Sequence, residues 1–345
     1  MQHYQQTALD YARANSLPKL PESMEYLNGV CKRHGVRPVE LIARMLQRPV
    51  TLNFHPDRIS SDGRKVLESM TAQGYYHCQF LTGTTNGSRT AFPGGERYEW
   101  EQRLFGGAYP ESARDRPKYG ALNVLSYADG ASMRFGSCFI ALNTAVTRRC
   151  TFCYGDSSDA PKALCTADTF GCVVAELMRD VVNHSRLLNQ CVSTEQEALA
   201  ILMRRRIEPA RLGRNLDFCI EAHIHGDVSL ASDVTALYLD RSYVATSIHA
   251  QAEELCMRYS IPLRWIPERS VRADAIDELF RGPGIVKLAR KLEANCRGTV
   301  RINAMLLGEA SQDSVRNAQR WSDLGSAAEV FQYFKQLWHY VGYFG

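Results

Sequence analysis

The sequence predicts an α+β protein, a single compact domain with helical additions at both ends and a helical insert. Three observations predict it. Short apolar or β-branched runs alternate with Gly-rich turns through the middle of the chain, and both flanks read as helical. No internal repeat or low-complexity linker divides the 345 residues. With 45% hydrophobic and 23% charged residues, the chain is not collagen-like, coiled-coil or wholly disordered.

Residues 1–48 form the N-terminal helical segment. Pro38 stands where a helix starts, after Gly35, and Leu41, Ile42, Met45 and Leu46 fall on one face. Residues 49–245 form a β-rich core, read as dense antiparallel structure from TLNF, YYHCQFL, TGTTNGS, AFPGG, LFGGAY, ALNVLSY, RFGSCFIAL and CTFCYGD. A helical insert at about 172–206 interrupts it. Within it, Ser193 and Thr194 with Gln196 and Glu197 resemble a capping box, and Arg204 to Arg206 suit a helix's carbonyl end. Strands return in LDFCIEAHIHG and VTALYLD.

Residues 246–345 form a C-terminal helical region packed on the core, in IHAQAEELCMRYS, ADAIDELF, GIVKLARKLEANC and SAAEVFQYFKQLWHYVGYF. Phe331, Phe334, Leu337, Trp338 and Tyr340 to Phe344 are dense enough to pack a terminal helix; a partner-binding stripe is the alternative.

Lys and Arg total 41 against 37 Asp and Glu, a net charge of +4. That is no footprint for nucleic acid, which needs basic residues gathered on one face. No apolar run approaches eighteen residues, so no membrane span is expected, and the N-terminus lacks the pattern of a secretory signal. Eleven cysteines, odd in number and scattered, suggest buried thiols in a reducing compartment. Cys150 and Cys153 are spaced like half a zinc site, but no second pair follows and Thr151, Phe152 and Tyr154 favour a strand.

The sharpest pattern is Phe218-Cys219-Ile220-Glu221-Ala222-His223-Ile224-His225. On a strand, the apolar residues take one face while Cys219, Glu221, His223 and His225 share the other. A water-facing strand explains the alternation equally well. As a site, it allows a metal held by Glu221, His223 and His225 for hydrolysis. It equally allows a lone Glu221 that opposes the positive charge of a glycosyl cation.

Val50 to His55 alternates in the same way and ends at a proline, which puts His55 and Arg58 at a strand end. A guanidinium there suits a diphosphate, although a plain turn with a surface arginine is the bland reading. The loop with Thr84, Asn86 and Gly87 offers phosphate or sugar donors, yet alone it is simply a hairpin turn. Tyr119 in RPKYGALN, and Arg134 and Ser137 in RFGSCF, add polar groups at strand starts. Together these hint at an anionic, ribose-bearing ligand.

As a set, TLNFHPDR, TGTTNGS with FPGGER, LFGGAY, RPKYGALN, RFGSCF and IEAHIHGDVSL resemble the CteC-type bacterial effectors. These are mono-ADP-ribosyltransferases that modify a threonine of host ubiquitin, and their family was first described as a domain of unknown function. The resemblance covers roughly residues 49 to 345 and includes FRGPGIVKLA and the WHYVGYFG tail. It implies an ADP-ribosyltransferase-like split β-sandwich that binds NAD as co-substrate, without a metal. Glu221 would be the catalytic carboxylate, with His223 beside it at the cofactor. His55 or Arg58 would hold the diphosphate or adenosine ribose, and Ser137 or Thr84 would stand in for the usual Ser-Thr-Ser. This sequence departs from the common Glu-x-Glu, since His223 follows Glu221. The resemblance further implies a monomer, made in the bacterial cytoplasm and delivered to the host cytosol. A non-catalytic partner-binding protein is the remaining alternative.

Overall fold

The computed structural model describes residues 1–83, 90–204, 213–214, 216–295 and 300–345. It is a mixed α+β structure built on one seven-stranded sheet. The strands are β1 Val50–Phe54, β2 Lys118–Leu122, β3 Cys138–Leu142, β4 Cys150–Tyr154, β5 Ile220–Ile224, β6 Val234–Asp240 and β7 Leu263–Ile266. Their order is β7-β6-β3-β1-β2-β5-β4. Neighbours are antiparallel except β6 and β7, which run parallel across helix α8 Ser247–Tyr259. Three two-stranded pairs lie outside this sheet, and the described strands close no barrel.

The first 46 residues are three helices, α1 His3–Ser16, α2 Leu20–Lys32 and α3 Pro38–Leu46. In α3 the proline takes the first helical position, and Leu41 and Met45 go into the core. Between β1 and β2 the chain is less stranded than its turns suggest. Two longer helices stand there, α4 Val66–Gln73 and α5 Glu96–Leu104, with a single helical turn at Gln79–Thr82 between them, and only Tyr75–Tyr76 of YYHCQFL pairs as strand. Leu67 and Met70 bury one side of α4, and Gly74 ends it in the left-handed region at φ 77°. The polar string of α5 has strong helix formers and no β-branched residue, so propensity outweighs the Gly-rich turns around it.

The insert holds α6 Gly171–His184 and α7 Glu195–Met203, separated by a short hairpin. Thr194 Oγ1 accepts from Glu197 N at 3.1 Å, and Glu197 returns a carboxylate oxygen to Ser193 N at 2.7 Å, which closes the expected cap. In the C-terminal region, ADAIDELF makes only one short 3₁₀ turn, Ala273–Ala275. A further helix, α10 Ala304–Arg316, is capped by Asn303, whose side chain accepts from Leu306 N at 3.0 Å. It follows α9 Pro283–Ala294 and precedes α11 Ala327–Phe344.

Helix α11 starts with a capping box between Ser326 and Glu329. Phe334, Leu337, Trp338, Tyr340 and Val341 are all buried, so the aromatic density packs this helix inward. Trp338 Nε1 donates to the Met133 carbonyl at 2.8 Å, which pins α11 to the turn before β3. Gly136 in that turn lies against β1, because a Cβ there would fall 2.1 Å from the Phe54 carbonyl carbon. Gly136→Ala should therefore cost about 1–3 kcal/mol, by overpacking, in urea unfolding. An unchanged unfolding midpoint would show that β1 yields freely.

A candidate active site on the polar face of the sheet

Register decides which side chains share a face. Glu221 pairs with Ala121 and Cys153, and His223 with Tyr119 and Thr151. Thr51 pairs with Ala121, and Asn53 with Phe139. Side chains directly opposite one another project to the same side, so β1, β2, β4 and β5 gather their polar residues on one face. Leu52, Ile140, Phe152, Ile220, Ala222 and Ile224 take the other and enter the main core. Neither face of β5 meets bulk water: all five of its residues are buried. The water-facing reading of this strand is thereby overturned.

Burial obliges each polar atom on β5 to find a partner. Glu221 Oε2 accepts from Ser157 N at 2.8 Å, lies 3.3 Å from His223 Nε2 and receives the Cys153 thiol at 3.8 Å. His223 Nδ1 lies 2.9 Å from Thr151 Oγ1, which lies 3.1 Å from His225 Nε2. His225 Nδ1 lies 2.6 Å from the Tyr109 hydroxyl. With Glu221 ionised and both imidazoles neutral, one proton arrangement satisfies the whole chain. Tyr109 donates to His225, His225 to Thr151, Thr151 to His223, and His223 to Glu221. Glu221 Oε1 accepts nothing from a described residue, and Glu221 lines a cavity of about 950 Å³.

This chain bears on metal binding. Both nitrogens of His225 are engaged, so Glu221, His223 and His225 do not converge on a point. Cys153 takes the third place instead: one ligand atom each from Cys153, Glu221 and His223 lie within 4.8 Å of one another. Burial and the adjacent Glu221 push the Cys153 thiol well above its ordinary range, which disfavours the thiolate a metal needs. The CTFC pair itself lies on β4, and the ten described cysteines are all free.

Glu221, His55, Arg58, Tyr119 and Arg134 line the cavity. Ser137 and His223 stand one layer behind its wall. Ser137 Oγ lies 3.4 Å from His55 Nδ1, and His223 is fully buried behind Glu221. Thr84, Asn86 and Gly87 lie outside the described residues. Arg58 bonds Ser311 on α10 and has its guanidinium 5.6 Å from the Phe331 ring on α11, while Arg134 reaches Asp217 at 2.8 Å. The cavity thus lies between the sheet and helices α5, α10 and α11.

Four contributors went unnoticed in the sequence: Ser157, Thr151, and, on the cavity wall, Arg97 and Trp100. Arg97 and Trp100 share a face of α5 at i, i+3 spacing, a signal the polar string concealed. Lys335 of α11 also lines the cavity, and burial together with Arg134 and Arg281 lowers its pKa.

Thr151→Val would remove the central link of the chain and leave His223 Nδ1 and the His225 Nε2–H unmet. The expected loss is about 1–3 kcal/mol for each orphaned group, read from urea unfolding. Native-like stability in that variant would show the chain to be incidental.

pH tests the same burial. Desolvation holds His55, His225 and His339 well below their ordinary pKa, so they stay neutral in the native state. Below about pH 6.5 the unfolded chain takes up three protons that the native state refuses, and stability falls. Burial raises Asp57 and Asp240 to about 6, so the native state gains two protons there that the unfolded chain does not, which opposes the loss. Burial also lowers His77, which adds to the loss, and raises Glu101, which opposes it. With four histidines against three acids, stability is expected to fall as the pH drops from 6 to 5, by about 1.4 kcal/mol per pH unit for each proton of the difference. A flat profile in urea unfolding across that window would contradict the neutral histidines.

No curated protein matches the chain. A family model described as "Protein of unknown function (DUF3626)" matches residues 49–344, from the first strand to the end of α11. The protein belongs to the DUF3626 family, whose function is not assigned.

Proposed function

We propose that the protein is an NAD-dependent mono-ADP-ribosyltransferase that modifies a threonine hydroxyl of host ubiquitin, as its resemblance to CteC-type effectors implies, and so blocks ubiquitin signalling. The observation that carries this reading is Glu221: one oxygen tied by three donors and the other free, at the wall of a cavity of about 950 Å³ that also carries Arg58 and Arg134. A cavity of that size falls in the range of cofactor sites, and its guanidiniums supply the charge that a diphosphate requires. The ADP-ribosyltransferase-like split β-sandwich and a route from bacterial cytoplasm to host cytosol belong to the same reading.

When bound, NAD supplies an electrophilic ribose carbon with nicotinamide as its leaving group. Glu221 would accept a hydrogen bond from the adjacent ribose hydroxyl and oppose positive charge as it develops on the ring. Ser157 N–H and His223 keep that carboxylate oriented, so little reorganisation is required when charge appears. Arg58 and Arg134 would hold the diphosphate away from the reacting carbon. Tyr119, on β2 beside His223, forms wall next to Glu221. Threonine is a weak nucleophile at neutral pH, so the electrophile must carry the reaction, which suits a site with one carboxylate.

The competing reading, a metal-dependent hydrolase, is favoured by the Cys153, Glu221 and His223 cluster. One set of measurements separates the two. Incubation with NAD and ubiquitin should add one ADP-ribosyl unit to ubiquitin by intact mass and release nicotinamide. Glu221→Gln should lower both by about 100-fold or more while circular dichroism stays native. Full activity of that variant, or a stoichiometric transition metal in protein purified without added metal, would overturn the transferase reading.

A further inference from the structure

Helix α5 brings an arginine to the cavity that no motif singled out. Arg97 is 6% exposed, yet its Nε and Nη1 meet no acceptor among the described residues. Its guanidinium lies 4.3 Å from the centroid of the Trp100 ring and 5.0 Å from that of Tyr119, and all three residues line the cavity. The Tyr119 ring in turn stands edge-on to His223, the residue that orients Glu221. Arg97 therefore belongs to the same wall as the free oxygen of Glu221.

An internal ion pair with Glu101 is the obvious alternative, and the distances count against it. Glu101 Oε2 is taken by Arg116 at 3.2 Å and Oε1 by the Tyr119 hydroxyl at 3.1 Å. Arg97 Nη1 stays 3.8 Å away, beyond hydrogen bonding. Two buried guanidiniums thus share one carboxylate. A buried cation with unmet donors is costly unless something else meets them. Arg214 also has unmet nitrogens, but it is clamped on Asp129 at 2.8 Å and does not line the cavity. Among the described arginines that line the cavity and are buried, Arg97 has two unmet nitrogens and Arg58 one.

We propose that Arg97, held between Trp100 and Tyr119, is a further anchor, beside Arg58 and Arg134, for the diphosphate of a dinucleotide in this cavity. A planar, permanently charged guanidinium suits a phosphate, and the flanking rings fix its plane before the ligand arrives. Nothing covalent changes at Arg97; it binds and orients. The ligand class rests on the NAD reading, whereas the anion site rests on the geometry alone.

Isothermal titration with ADP and with adenosine tests it. The wild type should bind ADP more tightly than adenosine. Arg97→Lys, which keeps the charge but loses the fork, should weaken ADP by about tenfold or more and leave adenosine unchanged. Equal ADP affinity in the two proteins overturns the proposal. Should the variant not fold, nitrogen-15 NMR of arginine side chains in the wild type decides. ADP must shift one buried Nε–H signal that adenosine leaves in place, and its failure to do so overturns the assignment. Arg97-dependent ADP binding with no nicotinamide released from NAD keeps the anchor and removes the transferase. Nicotinamide release with unaltered ADP affinity in Arg97→Lys does the reverse.

Discussion

A strand that buries a carboxylate and two imidazoles survives only if every one of their polar atoms is met. Each orphan would cost about 1–3 kcal/mol, and several together would exceed much of a domain's net stability. In β5 the partners arrive from three separate places: Tyr109 after α5, Thr151 on β4, and Ser157 in the turn beyond β4. The loop, the strand and the turn are thereby committed to fixed positions by chemistry on one neighbour. Phe105 reinforces this by standing edge-on to both His223 and His225, at 5.6 and 5.2 Å between centroids. The same bonds tie one oxygen of Glu221 and leave the other without a donor among the described residues, so the stability requirement also orients this carboxylate.

Charge shows a similar division between whole and part. The chain's balance of +4 gives no hint of where its cations stand. Around the cavity they are gathered: Arg58, Arg97, Arg103, Arg134 and Lys335 line it, with Glu96, Asp156 and Glu221 as the carboxylates on the same wall. Burial strengthens such a local excess, because low polarity screens it less than water does. Elsewhere buried arginines are absorbed by the fold. Arg214 and Arg269 close on the two oxygens of Asp129 at 2.8 and 3.0 Å, and Arg269 also donates to the Gly345 carbonyl at 3.0 Å. There cations serve the closure of the C-terminal end; at the cavity they face open volume.

The α+β class was legible because alternation in TLNF, CTFC and IEAHI survives as real strands, and because the flanking helices carry their own caps. The polar face of Glu221, His223 and His225 was legible for the same reason. Coverage of both faces was not, since alternation in a half-exposed strand and in this one looks identical from inside the strand. What covers the polar face comes from α5, more than a hundred residues before β5 in sequence, and a helix string such as ERYEWEQRL reads as solvated surface. Turn-like composition between β1 and β2 also concealed α4 and α5 behind their Gly boundaries. His55 and Arg58 were found through the proline that ends β1. Arg97 and Trp100 had no such punctuation.

The histidine at position 223 follows from the same burial. A second glutamate there would place a like charge about where His223 Nε2 now lies, 3.3 Å from Glu221. In a site without bulk water, two such charges would drive one carboxylate to hold a proton. An imidazole gives Glu221 a donor instead, and passes the demand for a partner on to Thr151, His225 and Tyr109. Glu221 is then the one carboxylate on this strand. The imidazole at position 223 thus replaces a second acid with a hydrogen-bond chain that a fully covered β5 can sustain.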